Sequence, residues 1–234
     1  MELSKLITIV IPCKNESTII DLTLSLLNHQ NDIQDVSVIV CDSSDDNTPD
    51  LLKNRNDDKF DLSIISGGLP ARARNNGMKY VNTDYVLFMD ADIFILDTNI
   101  INDLLWELRI RRGDLITTKI RTTNGKFNYV FRVFDIIQKM IRPITPFCLG
   151  GFMLFKSKTF KELGGFDESA NVAEDYLLSK KVKSKKFRIS DKVIFTTPRR
   201  FENKGLWYML KLMVGSYFNR NNNKFFSQHN SYWK

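Results

Sequence analysis

Asp90-Ala91-Asp92 holds two carboxylates two residues apart. In an extended chain such residues point to the same side, so both acids can converge on one point. Paired hard oxygens suit Mn2+ or Mg2+, above all when a ligand's phosphates complete the coordination. Acids are also common in turns, and in isolation the pair reads more simply as a solvated loop or helix cap. Asp42 can accept hydrogen bonds from a sugar hydroxyl or a base N–H, or close a turn on its own backbone. Glu174-Asp175 falls in a stretch with helical character, where neighbours diverge by about 100°. One carboxylate can then enter a cleft while the other makes a hydrogen bond or faces solvent. A cleft carboxylate whose pKa is raised by burial is a general base for a hydroxyl.

These groups must be positioned by the elements around them. Residues 6–12 form an almost unbroken β-branched apolar run, the mark of a strand buried on both faces. Helical spacing follows over 17–30, then a strand over 36–41 that stops at Asp42. Thr48-Pro49 reads as a helix start, 62–65 as a strand, 71–81 as a helix and 85–89 as a fourth strand. This alternation predicts an α/β protein with an open, mainly parallel sheet and helices on both faces. Ligands of such sheets sit at the carboxyl ends of the strands, which selects 12–16, Asp42, 67–75 and 90–92. Arg72 and Arg74 flank a helix start that favours anions; about 200° apart, at most one can face a given ligand.

Further along, helices are expected over 98–111, 127–141, 157–163 and 174–183, and strands over 115–120, 150–155 and 187–197. Residues 206–218 form a mostly apolar segment of 13 residues. Neither a P-loop nor a G-x-G-x-x-G fingerprint follows the first strand.

Composition narrows the class. The chain has 234 residues, 43% hydrophobic and 26% charged, enough for a sizeable core and unlike a disordered or low-complexity protein. No stretch of about 18 uncharged apolar residues occurs, and the N-terminus lacks a signal-peptide pattern. Cys13, Cys41 and Cys148 make no C-x-x-C and read as small buried hydrophobes, so a reducing, cytoplasmic setting is expected. Residues 1–125 carry 13 Lys and Arg against 19 Asp and Glu, net −6, whereas 126–234 carry 21 against 8, net +13. Such asymmetry points to nucleic acid, an anionic membrane face or an anionic substrate.

Taken together and in order, Ile9 to Glu16, Val40 to Thr48, Ala73 to Gly77, Asp90-Ala91-Asp92, Gly150-Gly151, Gly164 to Asp167 and Ala173 to Tyr176 resemble the motifs of family 2 glycosyltransferases. The resemblance covers residues 6–200. It implies the GT-A (nucleotide-diphospho-sugar transferase) fold over 1–200, followed by a helical extension with a polar tail over 201–234. It further implies a metal-dependent, inverting transfer from a UDP- or GDP-type sugar donor to a hydroxyl or phosphate of an acceptor glycan or a lipid-linked acceptor. On this resemblance Pro12, Cys13, Glu16 and Asp42 hold nucleobase and ribose, with Arg74 nearby. Asp92 binds the metal directly, and Asp90 the ribose or metal. Asp175 is the catalytic base, Glu174 supports it or binds acceptor, and Gly150 and Gly151 leave room for acceptor and sugar. Arg199 and Arg200 reach the diphosphate or an anionic acceptor, or else form a solvated basic turn.

The chain departs from the family at Cys13, where Thr or Ser is usual, and lacks the Q-x-x-R-W motif of processive synthases, so one sugar per encounter is expected. His229, and less so His29, are further metal-ligand candidates. Segment 206–218 suits either a helix lying at the inner face of a membrane or one packed on the core. A nucleotidyltransferase is the rival enzyme, but it usually needs a Gly-rich, Lys-containing loop after the first strand, which 12–16 is not. A nucleic-acid-binding module would need aromatic residues among the basic ones, and Lys180 to Lys186 instead reads as a solvated helix face; no nucleic-acid partner is expected.

Overall fold

The computed structural model describes residues 2–219 and 222–227. Strands β1 (Ile7–Cys13), β2 (Ser37–Asp42), β3 (Asp61–Ser66) and β4 (Tyr85–Met89) alternate with helices α1 (Ile20–Asn28), α2 (Thr48–Lys53) and α3 (Pro70–Met78). Then come β5 (Ile93–Phe94), α4 (Ile100–Ile110), β6 (Leu115–Thr122), α5 (Asn128–Ile141), β7 (Phe152–Lys156) and α6 (Ser157–Glu162). The described chain closes with α7 (Glu174–Ser179), β8 (Phe187–Thr196), α8 (Arg199–Lys204), α9 (Leu206–Phe218) and α10 (Asn223–Ser227).

The eight strands form one sheet in the order β3-β2-β1-β4-β7-β6-β8-β5. Pairings β1·β2, β1·β4, β2·β3 and β6·β8 are parallel. β7 runs antiparallel between β4 and β6, and β5 antiparallel along β8. The sheet is therefore mainly parallel, and its exceptions all lie beyond the fourth strand.

Alternation along the inner strands divides the core. Ile9, Ile11, Val38, Val40, Leu87 and Met89 face α1, α4 and α5, whereas Val10, Ile39, Cys41, Val86 and Phe88 face α3 and α6. On the second side Phe88 packs on Phe155, Phe160 and Phe166 with ring centroids 4.9–6.3 Å apart. Each such buried side chain contributes about 1.5–3 kcal/mol to folding. Helix α3 lies so close to the sheet that a Cβ on Gly77 would stand 2.4 Å from Val10 Cγ1. Phe201 stacks on Phe127 at 5.1 Å, and Phe201 and Met209 join the first core, which ties α8 and α9 to α5 and the sheet.

Several boundaries differ from the sequence expectation. Helix α1 starts at Ile20, because Ser17 to Ile19 are used in the turn that links it to β1. Helix α7 stops at Ser179, so Lys180 to Lys183 sit in a turn and Lys185 and Lys186 in a short 3-10 helix (Ser184–Lys186) rather than on one continuous helix face; Lys186 Nζ donates to the Arg112 carbonyl at 2.7 Å. Strand β7 begins at Phe152, which leaves Gly150 and Gly151 free to form the turn before it.

Candidate active site

The loops after β1 and β2 are bound to each other. In their register Cys13 pairs with Asp42. Asn15, in the left-handed region at φ 55°, donates its N–H to Ser44 Oγ at 2.8 Å and accepts from the Asp45 N–H at 3.0 Å. Asp42 Oδ1 accepts from Ser44 Oγ at 2.6 Å, the turn expected of an acid there, and its side chain remains half-buried. Asp46 accepts from the Thr48 hydroxyl and N–H, which holds its carboxyl down at about 2. Pro12 is half-buried beside them. Cys13 does not offer its thiol to a ligand: it is buried in the first core, which pushes its pKa far up, and its carbonyl accepts from the Ser43 N–H at 3.0 Å. Cys13 is thus the small buried hydrophobe expected of it, and what it turns toward the loops is its backbone.

The second group forms around a buried arginine. Arg74, 2% exposed, donates from Nη1 to Glu174 Oε1 at 2.7 Å and from Nη2 to Asp90 Oδ1 at 2.5 Å. Its guanidinium also lies 5.3 Å from the Phe166 ring centroid. The structure thus puts Arg74 behind the acids, where two carboxylates hold it, and leaves Arg72 exposed. Glu174 is buried and supports the neighbouring site by this ion pair. Asp90 and Asp92 converge through a turn, in which the Ile93 N–H donates to the Asp90 carbonyl at 3.2 Å, and not through extended chain.

Asp175 stands in the first turn of α7, entered through Ala173 at φ 55°. Its Oδ1 accepts from the Tyr176 N–H at 2.7 Å. Burial, and then the charge of Glu174, raise its pKa to about 7. The two glycines before β7 make room for these acids. A Cβ on Gly150 would lie 2.7 Å from Asp175 Oδ2, and one on Gly151, at φ 94°, 3.4 Å from Asp90 Oδ2.

Asp92 Oδ2 accepts long hydrogen bonds from Thr196 Oγ1 at 3.3 Å and Thr197 Oγ1 at 3.5 Å. Burial raises its pKa against the pull of Arg200. Nearby, Glu16 Oε1 accepts from Arg199 Nη2 at 2.6 Å while Oε2 is buried without a partner; burial raises this carboxyl too. An excess of poorly compensated carboxylate oxygen fits a divalent cation. Among the described residues no group of three or more His, Cys, Asp and Glu could hold a metal alone. The donor set therefore suits an ion that shares its coordination with a ligand's phosphates. His29 is exposed at the end of α1 with Nδ1 2.7 Å from the Ser25 carbonyl oxygen, and does not join the acids; His229 lies outside the described residues.

Asp90, Asp92, Gly150, Gly151, Glu174, Asp175 and Arg200 line one cavity of about 570 Å3, within the range of small-molecule sites. Pro12, Glu16 and Asp42 are not in its lining, although Glu16 and Asp92 are near enough to feel each other's charge. Sequence reasoning missed Thr196 and Thr197 on Asp92, the Glu16–Arg199 pair and the apolar walls formed by α5 and α9. Only the walls had a signal, the apolar spacing of 127–141 and 206–218.

A family model, glycosyl transferase family 2, matches residues 8–164, and the chain belongs to that family. Over 192 residues it is 29% identical to the poly-β-1,6-N-acetyl-D-glucosamine synthase of Staphylococcus epidermidis, covering 75% of this chain and 45% of that protein. The chain thus spans less than half the length of that relative. The crystal structure of S. aureus TarS 1–349 in complex with UDP-GlcNAc aligns with a TM-score of 0.64 at 23% identity, over 82% of this chain and 58% of that one. The mannosyltransferase PcManGT from Pyrobaculum calidifontis, in complex with GDP-Man and Mn2+, aligns at 0.70 with 19% identity, over 91% and 61%. These likenesses establish the GT-A fold.

Proposed function

We propose that this protein transfers one sugar per encounter from a nucleoside-diphosphate-sugar of UDP or GDP type to an acceptor glycan or lipid-linked acceptor, with inversion at the anomeric carbon. The observation that carries this reading is the placement of Asp175, with a pKa near 7, on the same cavity as Asp90 and Asp92. Asp175 takes the proton of the acceptor hydroxyl as its oxygen bonds to the anomeric carbon, and the bond to the diphosphate breaks on the opposite face with its electron pair. Glu174 and Arg74 hold Asp90 and the start of α7 in register. Asp42 and Pro12 to Asn15 offer acceptor and backbone groups to nucleobase and ribose at the ends of β1 and β2, and Glu16 keeps Arg199 beside them. Arg200, and Arg199 on exchange from Glu16, meet the diphosphate. Asp92, with Asp90, would hold Mn2+ or Mg2+, which when bound supplies positive charge to the departing diphosphate. Donor complexes of structural relatives with UDP-GlcNAc and GDP-Man support the donor class. Non-processive transfer rests on the missing Q-x-x-R-W motif.

The test is calorimetric titration of UDP, GDP and dTDP with and without Mn2+. Metal-dependent binding of one nucleotide is expected, with the metal-dependent part abolished in Asp92→Ala. Failure of all three nucleotides to bind the folded protein would overturn the reading.

A further inference from the structure

From the acids the cavity continues between α5 and α9, where Phe131, Phe134, Ile137, Leu210 and Leu212 form its walls. At its mouth each helix shows a second, outward apolar face. On α5, Tyr129, Val133, Ile136 and Met140 follow at intervals of four, three and four residues, so they share one stripe, and each is more than half exposed. On α9, Trp207, Lys211, Val214 and Phe218 repeat the same intervals, with the three apolar members more than half exposed. Tyr129 and Val133 of the first stripe, and Val214 and Phe218 of the second, also line the cavity. The two stripes therefore meet where it opens. Meanwhile the inner faces of the same helices, Val130, Phe134, Met209 and Leu212, are buried in the protein. The core-packing and interfacial readings of 206–218 thus describe two faces of one helix.

The walls restrict what can enter. A peptide brings an N–H and a C=O per residue, each needing a partner once buried. The helix-borne walls are mainly hydrocarbon and aromatic, and the Ser216 hydroxyl there already donates to the Leu212 carbonyl at 2.7 Å. A hydrocarbon chain makes no such demand. Exposed Arg132 and Lys139 flank the α5 stripe, Lys139 sharing the carboxylate of Asp191 with Lys119, and Lys211 interrupts the stripe of α9, within the half of the chain that carries net +13. Apolar side chains edged by cations are the pattern of helices that rest on anionic lipid.

We propose that the channel between α5 and α9 takes the hydrocarbon chain of an amphiphilic acceptor, presenting its polar head to Asp175, and that the two stripes rest on the anionic lipid surface that supplies it. This rests on the transferase reading above and names its acceptor class.

Dodecyl phosphate and butyl phosphate, both below micelle-forming concentration, are titrated into the full chain by calorimetry. The longer chain is expected to bind at least about tenfold more tightly. Val133→Asp with Val214→Asp removes that preference while the thermal melt shows a folded protein. In flotation, the protein follows phosphatidylcholine vesicles containing phosphatidylglycerol, and Ile136→Ser with Met140→Ser stays behind. Equal affinity for the two phosphates overturns the proposal, as does a stable dimer in light scattering that Trp207→Ser with Phe218→Ser dissolves. Nucleotide titration of the same sample separates the two readings. Nucleotide binding without chain-length preference sinks this inference alone; chain-length preference without nucleotide binding sinks the donor site and leaves the hydrocarbon site standing.

Discussion

Residues 7–94 and residues 115–218 build their parts of the site by different means. In the first stretch acids stand at or just after the ends of parallel strands, Asp42 after Cys41 in β2 and Asp90 after Met89 in β4, so chain order alone puts them at one edge of the sheet. In the second stretch β7 turns antiparallel, and the groups that matter lie on a glycine turn, a short helix, the amphipathic α5 and the largely apolar α9. The first part is acidic and, on the proposed reading, would meet the charged donor through loops; the second is basic and would meet the acceptor through helix faces. If the proposal holds, one cavity joins a polar donor to a less polar acceptor. Its two ends need opposite solvation, and they come from different stretches of chain.

Four experiments would break or sharpen that contrast. The largest effect belongs to Asp175→Asn, which removes the base and leaves the shape. Transfer should fall by about 10²- to 10⁴-fold with nucleotide affinity retained, and full turnover in a steady-state assay would remove Asp175 from its role. Next is Arg74→Ala, which leaves the buried Glu174 and half-buried Asp90 carboxylates without their shared cation. A loss of about 3–5 kcal/mol is expected for such an uncompensated pair, read from the urea midpoint. An unchanged midpoint would mean that the two halves of the site are not joined through this residue.

The third experiment is a pH profile. A base must be unprotonated to act, and the folded-state value for Asp175 is about 7. Turnover should therefore be near its plateau above that pH and fall about tenfold per unit below it. A profile flat down to pH 5 would contradict the environment described for this carboxyl. The smallest effect is expected of Glu16→Gln. Its partner Arg199 is 43% exposed, and such pairs contribute about 1 kcal/mol or less. The variant should shift the melting temperature only slightly while strengthening diphosphate binding, because Arg199 is released; weaker binding would place Glu16 on the ligand side.

Much of the first stretch is legible in its residues alone. Ile7 to Cys13 is nearly all apolar because neighbours cover both its faces, so burial wrote itself into composition. The placement of Asp42 and Asp90 follows from strand ends. Arg74 is legible as a member of the site but not as its buried centre, since a charged residue in a helix normally faces water. Nothing local marks it; the acids that draw it inward lie 16 and 100 residues away. Glu174 and Asp175 are legible as a pair that must diverge on a helix, and the raised pKa of one depends on burial supplied by distant chain.

By itself, then, the sequence determined the strand and helix types, the carboxyl-end placement of the acids and the family, because periodicity and local backbone preference act over a few residues. Tertiary structure decided that β7 inverts between β4 and β6 and that Arg74 joins Asp90 to Glu174. It also decided that α5 and α9 leave an apolar channel between them. Each of these depends on the close packing of segments far apart in the chain, whose mutual approach is a property of the whole fold and of no local pattern.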